Sequence, residues 1–209
     1  MKLYMKPGAC SLASHIALRE AGLPFTLDQV DTDAGTTGDG GDYRAVNPKG
    51  YVPALALDTG EVLTEGASVL QYIADQRPES GLAPAAGTLA RARLHEHLNY
   101  VASELHKAFG PFFSSAASDE QKQAAHGAVA GRFDYLETLF ADGRDHLLGE
   151  TFTVADAYMF VVSNWANFVG IDLSRWPNVQ AFVGRVATRP SVQAAMVAEG
   201  LIPAERQAS

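Results

Sequence analysis

Residues 2–30 read KLYMKPGACSLASHIALREAGLPFTLDQV, and this run decides how the first half of the chain folds. Lys2 to Met5 has the pattern of a short strand, cut by Pro7-Gly8. From Ser11 to Ala21 the apolar residues Leu12, Ile16 and Leu18 recur at helical spacing, and Gly22 and Pro24 stop the helix. Phe25 to Val30 alternates apolar and polar side chains as a half-buried strand does. Two strands joined through a helix predict a parallel crossover.

A Gly/Asp/Thr-rich loop follows from Asp31 to Asp42, with little to hold it rigid. Val52 to Leu57 and Glu61 to Leu63 then read as strands joined at Asp58-Thr59-Gly60, a hairpin turn, and Thr64 to Ala74 as a helix. The order β-α-β then β-β-α predicts a mixed four-stranded sheet, the thioredoxin-like layout, over residues 1–77. Residues 78–87, rich in Pro, Gly and Ala, read as a linker. Residues 88–209 read as all helical: Thr88 to Phe113 as one long helix, then about 119–141, Thr153 to Phe168, Asn178 to Thr188 and Ser191 to Glu199. Thr153 and Asp156 fit a capping box, with Phe152 as the staple onto Ala157. The fold class expected is therefore α+β, a thioredoxin-like domain followed by an all-α domain.

Hydrophobic residues make up 47% of the chain, enough for a real core, and the net charge of −8 argues against a nucleic-acid partner without a basic patch. Arg91-Ala92-Arg93 is the densest basic cluster. The opening residues lack the apolar core of a signal peptide, and no run approaches the roughly 18 apolar residues of a spanning helix, so neither export nor a membrane is expected. The natural compartment is the cytoplasm. One cysteine excludes an internal disulfide and a thiolate zinc cluster; His95 and His97 point to different faces of a helix, and no metal site is expected.

Four features carry chemistry. Cys10 stands where a helix opens, and unpaired N–H groups and the macrodipole there would lower its pKa from about 8.5; a small buried side chain is the other reading. Val52-Pro53 begins a strand beside the first. A cis bond there would free the Val52 N–H and C=O for an extended peptide, whereas an ordinary trans proline at a strand start needs no partner. Glu65-Gly66 opens the next helix, where helix N–H groups suit a carboxylate and Glu65 an ammonium, together an amino-acid head group; simple capping by Thr64 explains the same residues. Asn99, Ser103 and His106 share a helix face by spacing, either lining a cleft or facing solvent, and His106-Lys107 would add positive charge suited to a thiolate or an anion.

Taken together, Pro7-Gly8-Ala9-Cys10-Ser11-Leu12, His15 to Gly22, Asn47 to Leu55, Leu63 to Gly66, Ser103 to Lys107 and Thr153 to Ala157 resemble the bacterial beta class of cytosolic glutathione transferases, across nearly the whole chain. The resemblance implies a homodimer that binds reduced glutathione between a thioredoxin-like and a helical domain. It implies Cys10 facing the glutathione sulfur, Val52 before a cis-proline pairing with the cysteinyl backbone, and Glu65 and Gly66 receiving the γ-glutamyl group. Asn99, Ser103 and His106 would come from the long helix, His106 beside the sulfur, with Cys10 and His106 the catalytic pair. Met5 stands where relatives often carry tyrosine and Gly35 where they carry a lysine for the glycyl carboxylate; Tyr51 sits at a variable position beside the second-substrate pocket. The activity implied is conjugation of glutathione to small hydrophobic electrophiles, with Cys10 able to form a mixed disulfide and no cofactor beyond glutathione. Alternatives are a monothiol glutathione-dependent thiol–disulfide oxidoreductase or reductive dehalogenase, and a non-catalytic binding or carrier protein.

Overall fold

The computed structural model describes residues 1–204. The chain packs as two units, one formed by Met1–Ser80 together with the described chain from Ala187, the other by Gly81–Val186.

In the first unit, strands β1 (Lys2–Met5), β2 (Thr26–Gln29), β3 (Ala54–Ala56) and β4 (Val62–Thr64) form one sheet in the order β2-β1-β3-β4. β1 runs parallel to β2 and antiparallel to β3, which pairs antiparallel with β4. The register pairs Leu3 with Leu55 and Leu55 with Leu63. Alternation sends Tyr4 and Ala54 to the opposite face, into a cluster with Val30, Tyr43 and Val52. Helix α1 (Ser11–Glu20) ends as expected at Gly22, whose φ of 61° lets Leu23 N–H reach Leu18 O and Gly22 N–H reach Arg19 O, closing a Schellman motif. The short helix α2 (Tyr43–Val46) precedes β3, and α3 (Gly66–Gln76) packs on α1. The loop expected to be soft is instead pinned. Asp31 accepts from Asp33 N and Ala34 N at 2.9 Å each, and Tyr43 N–H bonds Gly35 O at 2.9 Å.

The second unit holds α4 (Leu89–Tyr100), α5 (His106–Phe113), α6 (Asp119–Phe140), α7 (Val154–Val169) and α8 (Pro177–Ala187), the last running to the unit boundary. Leu94, Leu105, Phe109, Phe133 and Phe160 make its core. The capping box at the start of α7 is present: Asp156 accepts from Thr153 N at 2.8 Å and Thr153 Oγ1 at 2.7 Å, and also from Leu147 N at 2.8 Å. Leu82, in the middle of the expected linker, is buried and accepts from Val154 N at 3.0 Å.

Two expectations are corrected. The helix expected from Thr88 to Phe113 is interrupted by a π-helical turn, Val101–Leu105, where His106 N–H bonds Val101 O five residues back. The second concerns the end of the chain, read as part of an 88–209 helical domain. Helix α9 (Pro190–Ala198) packs on α1 instead, burying Val192, Ala195 and Met196, because its flanking charges have partners there. Arg189 donates to Glu20 from Nε at 2.7 Å and Nη2 at 3.0 Å, and Glu199 meets His15. Residues 205–209 of that expected domain lie outside the described residues. Among the described residues no helix is long and apolar enough to cross a membrane.

Candidate functional site

The turn between β1 and α1 delivers the thiol. Ala9 N–H closes on Lys6 O at 3.0 Å, Lys6 N–H bonds Ser11 Oγ at 3.2 Å, and Gly8 supplies a φ of 71° that other residues rarely adopt. Cys10 is the residue before the first helical turn and is half-buried. The N–H groups expected to be unpaired are partly engaged, Leu12 N with Ala9 O and Ala13 N with Cys10 O. The dipole remains, and with it a field that favours a thiolate.

Cys10 Sγ donates to Val52 O at 3.3 Å, and the Val52–Pro53 peptide bond is cis. The loop that carries Val52 is braced from beneath. Tyr43 Oη donates to Tyr51 O at 3.0 Å and Asn47 Nδ2 to the same oxygen at 2.6 Å. Tyr43 is fully buried against Tyr4, and burial pushes its phenol up, so it stays a donor.

At the β4–α3 junction Glu65 is the one described non-glycine residue with positive φ, 70°. Thr64 ends β4 and does not cap α3; Glu65 is the cap position, its carbonyl taking Ser68 N at 3.0 Å and Val69 N at 2.9 Å. The N–H groups of Gly66 and Ala67 precede these first bonds of the helix and have no partner within it. The strained backbone turns the Glu65 side chain outward, where Oε1 receives Lys49 Nζ and, at 2.9 Å, Tyr51 Oη; Lys49 Nζ also reaches Thr64 Oγ1 at 2.9 Å. Glu65 holds the Lys49 ammonium and the Tyr51 phenol above their ordinary ranges.

In the second unit Asn99 and Ser103 are exposed, and Ser103 Oγ bonds Asn99 O at 2.9 Å. His106 follows the π turn and faces inward. Its Nδ1 lies 2.8 Å from the Tyr158 hydroxyl, and its ring meets Trp165 edge-on with centroids 4.8 Å apart. Burial, helped by the Lys107 charge, lowers its pKa to about 4. The expected positive charge at His106 is therefore corrected: the imidazole is neutral at pH 7. The apolar stripe Val101, Leu105 and Phe109 is buried as expected.

The structure thus brings Cys10 and Val52 into contact, sets Glu65 and Gly66 side by side, and places Asn99, Ser103 and His106 along one helical stretch. Sequence reasoning missed Tyr43, Lys49 and Tyr158, whose roles depend on residues distant in the chain. It also missed His15 and Glu199. Arg19 Nε–H donates to His15 Nε2 at 2.9 Å, so Nδ1 carries the proton and donates to Glu199 Oε1 at 2.9 Å. Glu199 Oε2 takes Gly8 N–H at 3.0 Å, in the turn that carries Cys10. Among the described residues no group of three or more His, Cys, Asp and Glu could hold a metal.

A thioredoxin-like sheet with a cysteine at the first helix and a cis-proline before β3, followed by a helical unit, defines a two-domain protein of the glutathione-transferase class. The family model for the glutathione S-transferase N-terminal domain matches residues 8–76, and that for the C-terminal domain residues 100–190. The chain is 46% identical over 202 residues to glutathione S-transferase GstA of Escherichia coli O157:H7, covering 96% of this chain and 100% of that one. A bacterial beta-class glutathione S-transferase from Sphingomonas chungbukensis superposes with a TM-score of 0.94 at 51% identity, covering 97% of this chain and 100% of that one. A sphingomonad glutathione S-transferase complexed with glutathione gives 0.93, also at 51% identity and covering 97% and 100%. The chain belongs to the glutathione S-transferase family and is an enzyme of its bacterial beta class.

Proposed function

We propose that this enzyme conjugates reduced glutathione to small hydrophobic electrophiles, with Cys10 also able to form a mixed disulfide with glutathione. The observation that carries the reading is the Cys10 thiol on the Val52 carbonyl, beside the cis-proline and at the positive end of α1. A tripeptide laid along that edge would pair its cysteinyl backbone with Val52 and bring its sulfur to Cys10. The γ-glutamyl ammonium goes to Glu65 and its carboxylate to the free N–H groups at Gly66 and Ala67. Asn99, Ser103 and His106 are the ligands assigned to the helical unit. Exposed Phe113, edge-on to Trp165 with centroids 5.1 Å apart, supports an apolar second substrate.

The glutathione thiol gives its proton to water, the thiolate attacks an electrophilic carbon, a C–S bond forms and the leaving group departs as an anion with the electrons of the broken bond. No metal enters these steps. His106, neutral and close to Tyr158, acts as an uncharged hydrogen-bond partner and not as a cationic partner of the thiolate. Family membership supports a homodimer in the cytoplasm, which sedimentation and fractionation test directly.

The half-buried Cys10 thiol favours one second activity, monothiol exchange. Cys10 thiolate attacks the glutathione sulfur of a mixed disulfide and releases the other thiolate; a second glutathione thiolate then attacks the glutathione sulfur of the Cys10–glutathione disulfide, giving glutathione disulfide and releasing the Cys10 thiolate. Cys10→Ala separates the two. Conjugation of a dinitrohalobenzene is expected to survive at a measurable rate, whereas reduction of glutathione mixed disulfides disappears. Equal loss of both would overturn the view that the substrate thiolate reacts without the protein thiol.

A further inference from the structure

The loop before β3 places a cation beside the anion of the candidate head-group site. Lys49 pairs with Glu65 and leans on Thr64, while Tyr51 donates to the same carboxylate oxygen. Both charged side chains are exposed, 41% for Lys49 and 57% for Glu65. An exposed pair of this kind contributes little to the fold, so exchanging its partners is cheap.

A zwitterionic α-amino acid head presents an ammonium and a carboxylate on one carbon, which is the charge pattern that Lys49 and Glu65 already make with each other. We propose that Lys49 is a specificity residue for the α-carboxylate of the γ-glutamyl group: on binding, Lys49 leaves Glu65 for that carboxylate, and the substrate ammonium takes its place on Glu65. Tyr51 stays on Glu65 and keeps the carboxylate turned toward the ligand. The N–H groups of Gly66 and Ala67 and the Lys49 ammonium then hold the carboxylate from two sides. The Lys49–Glu65 pair carries no net charge, and a ligand lacking either half of the zwitterion leaves one of the two charges without its new partner. This assignment rests on the glutathione reading above.

The test compares three thiols by isothermal titration: glutathione, its analogue lacking the α-carboxylate (γ-aminobutyryl-cysteinylglycine) and its analogue lacking the α-ammonium (glutaryl-cysteinylglycine). Wild type is expected to prefer glutathione over both. In Lys49→Met the preference over the carboxylate-free analogue should fall by about fivefold to tenfold, the size of one charge-assisted contact at an exposed site. Lys49→Arg should keep most of it, and the preference over the ammonium-free analogue should persist in both variants. Lys49→Met with wild-type discrimination, or with tighter glutathione binding and unchanged discrimination, would overturn the assignment, since Lys49 would then only compete for Glu65. A wild type that binds none of the three would overturn the glutathione reading and this assignment with it. Lys49 is exposed and outside the core, so an unchanged thermal midpoint serves as the folding control.

Discussion

His106 shows how far a single residue departs from what its neighbours in sequence suggest. Beside Lys107 it reads as part of a positive patch, yet its ring is enclosed by Tyr158 and Trp165 and its pKa falls to about 4. An unfolded histidine binds a proton near pH 6.5, whereas the folded one resists until about 4, so stability is full above 6.5 and is lost as pH falls between these values. The difference amounts to on the order of 3 kcal/mol at most. Urea midpoints of wild type and His106→Phe at pH 7 and pH 4.5 should therefore differ in slope with pH, wild type losing more. Parallel losses would contradict the burial argument. By the same reasoning His106→Ala should lower turnover without moving an inflection of the pH profile above pH 6. Cys10 was legible as the one thiol after the first strand, and Val52 through the proline behind it. Lys49 was not legible, because its partner at Glu65 comes from another turn.

At the scale of elements, local rules worked where an element is governed by its own sequence. The capping box at Thr153–Asp156 was readable because cap chemistry involves residues three apart. The sequence did not reveal that Asp156 also holds Leu147 N–H. Asp156→Ala removes an acceptor from three buried donors and should lower stability by about 3 kcal/mol or more, while Asp156→Asn, which keeps an acceptor oxygen, should lose clearly less. Chemical denaturation of the two variants decides this; equal losses would mean that charge and not acceptor count matters. The π turn at Val101–Leu105 was not legible from periodicity, because the widening of a helical turn depends on packing and not on spacing. One wider turn leaves Asn99 and Ser103 exposed while His106 turns inward, and π turns recur at functional sites.

For the whole molecule, the first unit is discontinuous in sequence: the chain leaves it after Ser80 and rejoins it at Ala187. The return is fastened by Arg189 on Glu20 and by Glu199, which bridges His15 and the Gly8 N–H. Glu199→Gln keeps the shape but presents an amide donor to one of two groups that are themselves donors. The expected result is a loss of about 1–3 kcal/mol and faster hydrogen exchange at the Gly8 amide. An unchanged urea midpoint with unchanged Gly8 exchange would show that α9 is not what steadies the Cys10 turn.

By itself the sequence determined the order of strands and helices, the turn that presents Cys10, the proline behind Val52 and the cap of α7. All of these follow from periodicity and backbone stereochemistry within a few residues. Only the tertiary structure decided that α9 joins the first unit, that His106 is neutral, that the long helix widens before it, and that Glu65 already holds Lys49. Pairing and ionisation depend on which distant side chains meet and on how much water is excluded around them, and neither quantity is encoded in local spacing.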